Sequence, residues 1–123
     1  MKVDTIYLRS STIFSKKVSK WLNNKGIDPL SLDEDKRNNA ISTLDGLVIF
    51  NENQHLPKDI EYLKIQFDQN QKPVYKVDIN GTLRVGVSNF ALWIEQNKCK
   101  KMMLAGSDQL ADNPNLERYL LNM

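Results

Sequence analysis

One cysteine, one histidine and five glycines in 123 residues leave little for several common chemistries. The lone Cys99 excludes an internal disulfide and any paired-cysteine redox or zinc motif. His55, equally alone, removes a multi-histidine metal site and argues against a histidine-based triad. No GxGxxG fingerprint, Walker loop or HExxH helix occurs, which argues against ordinary nicotinamide-dependent and P-loop activities. No apolar run approaches the ~18 residues a membrane span needs, so no membrane partner is expected. The segment between Lys2 and Arg9 is too short for the apolar heart of a secretion signal, which leads us to expect a cytoplasmic protein. Charge of one sign is also lacking. Seventeen basic residues against fifteen acidic leave a net +2 and no electrostatic case for a nucleic-acid partner. What is present is ordinary for a globular chain: 41% apolar and 26% charged residues, enough for one domain over residues 1–123.

The apolar pattern alternates between two periods. Thr5-Ile-Tyr-Leu8 reads as a first strand, and Arg9-Ser-Ser-Thr12 supplies hydroxyls to cap a helix. Phe14, Val18, Trp21 and Leu22 then follow at helical spacing, with Gly26 suited to stop the helix. Ile27, Leu30 and Leu32 suggest a weaker strand, and Ala40, Ile41 and Leu44 a short helical turn after the polar stretch from Asp33 to Asn39. Leu47-Val-Ile-Phe50 is continuously apolar, the mark of a strand covered on both faces. Pro57 suits the first turn of a helix carrying Ile60, Leu63 and Phe67. Strand character returns at Lys72–Val77. Ser88 can cap a helix with Phe90, Trp93 and Ile94, Lys101–Ala105 is the last strand, and Asn113-Pro114 opens a closing helix. Such alternation predicts an α/β, three-layer Rossmann-like fold with a mainly parallel five-stranded sheet. Asn80-Gly81, between Val77-Asp-Ile79 and Leu83-Arg-Val85, is a two-residue turn signal. It predicts a β-hairpin extending the fourth strand, with an irregular crossover as the alternative. A hairpin edge would offer a homo-oligomer contact.

Ligands of open parallel sheets bind beyond the carboxyl ends of the strands. That edge would gather Arg9, Ser10, Ser11 and Thr12 after the first strand, Asn51 and Asn53 after the third, and Gly106 and Ser107 after the fifth. Arg9 brings charge, the hydroxyls and amides bring donors, and together they could hold an oxyanion. The plainer reading is that Ser10 to Thr12 cap a helix and Gly106 turns the chain. Cys99 sits among Lys98, Lys100 and Lys101, which could lower a thiol's pKa, yet no base is placed near it. Trp21 and Trp93 fit core stripes, and Met102 and Met103 fit a strand better than a soft-metal site. Glu61, one residue from the core position Ile60, could flank the cleft as a nucleophile for N-glycosidic chemistry. Pairing with Lys58 or Lys64 is the plainer alternative.

From Arg37 to the C-terminus the chain resembles the family named putative molybdenum carrier proteins, in the SLOG (LOG-like) superfamily of Rossmann-like nucleotide-ligand binders. The resemblance runs through Arg37-Asn-Asn39, Leu44-Asp-Gly-Leu-Val-Ile-Phe50, Lys72-Pro-Val74 and Trp93-Ile94. It continues in Leu104-Ala-Gly-Ser107 and Asn113-Pro114-Asn-Leu116. Two glycine-rich loops of that family are replaced by Arg9-Ser-Ser-Thr12 and Asn51-Glu-Asn-Gln-His-Leu56, neither containing glycine. The resemblance therefore implies the fold more directly than the ligand, as for a shortened relative that has lost or changed it. Ile6-Tyr-Leu8, Leu44-Asp45 and a helix carrying Glu61 ahead of Lys72-Pro-Val74 also resemble nucleoside 2-deoxyribosyltransferases. Leu56-Pro-Lys-Asp59 stands where those enzymes carry Asp-x-Gly, and TIR-type domains place a carboxylate similarly.

These readings converge on a non-catalytic binder of a small anionic or nucleotide-like ligand, with no cofactor or metal named by any motif. The alternatives are an N-glycosidic enzyme using Glu61, assisted by Asp45 or Asp59, and a protein-interaction module with an empty cleft.

Overall fold

A computed structural model of the chain describes residues 3–33, 36, 39–53 and 55–123. Arg37 and Asn38, two positions of the resemblance, lie outside the described residues. The elements run β1 (Thr5–Arg9), α1 (Ile13–Asn24), β2 (Leu30–Leu32), β3 (Gly46–Asn51), α2 (Lys58–Gln69), β4 (Val74–Asp78), α3 (Leu83–Gln96), β5 (Lys101–Gly106) and α4 (Pro114–Asn122). Short 3₁₀ turns occupy Ile41–Thr43 and Asp108–Asp112. Among the described residues the five strands form one sheet in the order β2-β1-β5-β3-β4, every neighbouring pair parallel. No described helix is long and apolar enough to cross a membrane.

Two apolar clusters cover the faces of the sheet. Phe14, Val18 and Leu22 of α1, Phe90 and Ile94 of α3, and Leu116 and Leu120 of α4 pack with Leu8, Phe50 and Leu104 on one face. Ile60, Leu63 and Phe67 of α2 join Ile41, Leu47, Ile49 and Met103 on the other. This partition follows from handedness. The β1-to-β2 and β4-to-β5 crossovers run toward the β2 edge, whereas β3-to-β4 runs toward the β4 edge. Right-handed crossovers must then carry α1 and α3 on one face and α2 on the opposite face. Every residue of β3 is buried, as its unbroken apolar run requires.

The sequence and the structure part at the fourth crossover. Residues 77–87 form no hairpin: β4 stops at Asp78, a turn follows, and α3 begins at Leu83. The turn signal is real. The Asp78 carboxylate accepts from the Asn80 amide at 3.0 Å, and the Gly81 amide donates to the Asp78 carbonyl at 3.0 Å. Leu83, Val87, Phe90 and Ile94 then lie against the core at helical spacing, which outweighs the brief alternation of Leu83-Arg-Val85. Ser88 is consequently inside α3, not its cap, and Thr82 takes the N-cap position. Pro57 likewise sits at the N-cap of α2, one residue before its first turn. The oligomer contact expected of a hairpin edge loses its basis.

Gly106, at the carboxyl end of β5, is required by packing. A Cβ there would lie 2.6 Å from the Phe14 ring, which itself meets the Phe50 ring at 6.2 Å between centroids. Gly106→Ala should destabilise the fold by about 1–3 kcal/mol through overpacking. Urea unfolding is the check, and adding Phe14→Leu should return part of the loss by making room for the methyl group.

Candidate functional site

Arg9 ends β1 at the carboxyl edge of the sheet. Along β1, Leu8 belongs to the α1-side cluster and Tyr7 to the α2-side cluster, so strand alternation turns Arg9 toward α2. Its side chain is only 10% exposed. Nη1 donates to the Asp59 carboxylate at 2.9 Å, Nη2 donates to the Gly106 carbonyl at 3.3 Å, and the buried Nε has no partner. Asp59, in the first turn of α2, is 62% exposed. Burial alone would raise the pKa of its carboxyl group. The hydrogen bond and charge of Arg9 and the amides at the start of α2 outweigh burial and hold the pKa below 3.8.

A cleft of about 320 Å³ opens over this pair, lined by Arg9, Thr12, His55, Pro57, Asp59, Ser107, Asp108 and Gln109. Of the residues anticipated at this edge, Arg9, Thr12 and Ser107 line it. Thr12 is the N-cap of α1: its hydroxyl oxygen accepts from the Ser15 amide at 3.0 Å, and its hydroxyl donates to Ser15 Oγ at 2.7 Å. Ser10 is half-buried, its amide donating to the Leu32 carbonyl at 3.0 Å, while exposed Ser11 takes a left-handed φ of 64°. Neither lines the cleft. Asn51 ends β3 facing the same side as Arg9, 4% exposed, with Oδ1 unpartnered. Asn53 points elsewhere: its side-chain oxygen accepts from Asn80 at 3.1 Å, and its amide donates to Asp78 at 3.3 Å. Gly106 contributes its carbonyl to Arg9, and the Phe14 ring covers the side a glycine might have opened to a phosphate.

Asp108 was not anticipated. Its carboxylate accepts from the Phe14 amide at 3.0 Å, so the N-terminus of α1 already holds an anion from within the chain. The partners are 94 residues apart in sequence; an acidic residue just after the fifth strand was the available signal. Asp45 lies at the opposite edge of the sheet, where its carboxylate accepts from the Lys100 and Lys101 amides at 2.9 and 2.8 Å. The length of β3, about 20 Å at strand rise, separates it from Asp59. Glu61 is exposed on α2 and does not line the cleft. The three carboxylates do not meet.

A larger cavity of about 680 Å³ lies near that opposite edge, walled by Phe90, Ile94, Cys99 and Met123 with Lys98 and Lys100 at its rim. Apart from the buried Cys99 thiol its polar side chains are exposed, and no described buried polar atom there lacks a partner. We therefore place the candidate site at Arg9. Cys99 does not have the lowered pKa its lysine neighbours suggested. Burial, reinforced by the Asp45 charge, pushes the thiol up to about 11. Among the described residues, no group of three or more His, Cys, Asp or Glu side chains gathers to hold a metal ion.

A scan of protein-family models found no match to this chain, and a search of curated proteins found none either. Among solved structures, one titled "putative molybdenum carrier protein", from Syntrophus aciditrophicus SB, is similar with a TM-score of 0.74. The match covers 98% of this chain and 91% of that one at 9% identity. It shows a common Rossmann-like fold.

Two outcomes follow from these environments. The Arg9–Asp59 pair lowers the folded-state pKa of Asp59, so its stabilisation is complete above the ordinary value of 3.8 and is lost as pH falls through the lower folded value. Urea unfolding across that acidic range should show this loss in the wild type and not in Asp59→Asn. The Cys99 thiol, 1% exposed with its pKa raised, should resist a thiol reagent at neutral pH and react once the protein is unfolded.

Proposed function

We propose that this chain is a non-catalytic binder of a small anionic ligand, held at Arg9 in the cleft over the carboxyl edge of the sheet. One observation carries the reading: an arginine side chain nine-tenths buried at that edge has, as its counter-ion, a carboxylate that stands mostly in water. A buried cation needs an anionic partner, and an exposed partner on the first turn of a helix is exchangeable. Asn51, buried on the same face with an unpartnered oxygen, does not line the cleft and adds nothing to this reading. The name of the similar solved structure, a carrier protein, is compatible with small-ligand binding. A nucleotide-like ligand, as the SLOG resemblance implies, is one narrower form of this reading, and AMP among the probes below tests it.

The N-glycosidic alternative gains no support from the geometry, because Glu61 lies outside the cleft and Asp45 at the far edge. Isothermal titration calorimetry with acetate, phosphate, molybdate and AMP tests the proposal. At least one should bind the wild type, and Arg9→Met should weaken that binding by about tenfold or more, the scale of a lost charge-assisted hydrogen bond. Glu61→Gln should leave it unchanged. Release of free base from nucleosides, abolished in Glu61→Gln, would instead establish the enzyme. Absence of binding by every probe would favour the empty-cleft interaction module.

A further inference from the structure

Resting on that reading, we infer that the ligand group received by Arg9 is a carboxylate monoanion that takes the place of Asp59, and that Asp108 closes the cleft to phosphates. The carboxyl edge of a parallel sheet offers anions two attractions: a basic side chain, and the free amides opening the first helix. Here two of those amides are already taken. The Phe14 amide donates to Asp108 at 3.0 Å, and the Ser15 amide donates to Thr12 at 3.0 Å. Asp108 is exposed, but the 3₁₀ turn it opens is anchored by buried Leu110 and Ala111, which keeps its charge beside the start of α1. A phosphate would meet its charge at the place where it would otherwise find donors.

Arg9 offers a different exchange. Its side chain is 10% exposed and its charge cannot be left without an anion, whereas Asp59 is 62% exposed and can turn into water. A carboxylate that takes over Arg9 while Asp59 carries its charge into water adds a single negative charge to the cleft wall. A dianion would add charge of the sign the two aspartates already supply. A planar carboxylate can engage the guanidinium fork with both oxygens, where Asp59 uses one. The fork is not fully engaged, since the buried Nε has no partner and the Nη2 bond to the Gly106 carbonyl is long at 3.3 Å. A space of about 320 Å³ admits a small carboxylic acid.

The test is an NMR titration at neutral pH and constant ionic strength, following the Arg9 Nε–H and the Phe14 backbone amide. The probes are acetate, lactate and inorganic phosphate. The proteins are the wild type, Asp59→Asn, Asp108→Asn and Asp108→Ala. The carboxylates should shift Arg9 Nε–H saturably, and Asp59→Asn should tighten them about tenfold by removing the competing charge. Phosphate should leave the wild-type Phe14 amide unmoved. Asp108→Ala, which frees that amide, should raise phosphate affinity about tenfold. Asp108→Asn, which removes the charge and keeps an acceptor, should raise it less. Phosphate binding the wild type as well as acetate does, or Asp59→Asn binding carboxylates no tighter, would overturn this inference while leaving anion binding at Arg9 intact. No response of Arg9 to any probe in any of the four proteins would overturn both.

Discussion

Placing a guanidinium under the carboxyl edge of a fully parallel sheet creates an obligation that the surrounding residues are arranged to meet. In the interior a charge without a partner costs several kcal/mol, and Arg9 is nine-tenths buried. It is therefore tied to three elements at once: to β1 by its backbone, to β5 through the Gly106 carbonyl, and to α2 through Asp59. The neighbouring α1 meets its own requirement separately. Its Phe14 and Ser15 amides are satisfied by Asp108, from beyond β5, and by Thr12; the Asp108 contact joins the first and last thirds of the chain. The edge is thus closed electrostatically by the chain itself. Its more exposed tie is the one between Arg9 and Asp59.

The fold was legible where one local signal dominated. The unbroken run Leu47–Phe50 could only be a covered strand, and Phe14, Val18 and Leu22 could only be one face of a helix. Glycine-poor loops did not obscure the topology, because the alternation of periods and the hand of the crossovers determine it. The stretch after β4 misled because three residues, Leu83-Arg-Val85, fit period two as well as the start of a helix. Only the longer window reaching Phe90 and Ile94 separates the two. A sharp turn held by the Asp78 carboxylate can end in a strand or a helix equally well.

The site was legible in part. Arg9, Thr12 and Ser107 meet at one cleft, as their positions at strand ends implied, whereas Asn51 is buried at the end of β3 and does not line it. Ser11 and Asn53 share the edge without facing the cleft, since position after a strand says nothing about side-chain direction in a turn; both adopt left-handed backbone. The partners that set the electrostatics of the cleft, Asp59 and Asp108, come from elements distant in sequence, and their meeting is a tertiary fact. The lysines around Cys99 show the same limit. Sequence proximity suggested an activated thiol, whereas burial decides its pKa.

The central claim is that Arg9 must keep an anion and will accept one from solution in place of Asp59. Thermal unfolding of Asp59→Asn with increasing sodium acetate, against sodium chloride at matched ionic strength, tests it most directly. Acetate should raise the Tm of Asp59→Asn more than chloride does, with a smaller gain in the wild type and none in Arg9→Met. Equal responses to the two salts in all three proteins would contradict it.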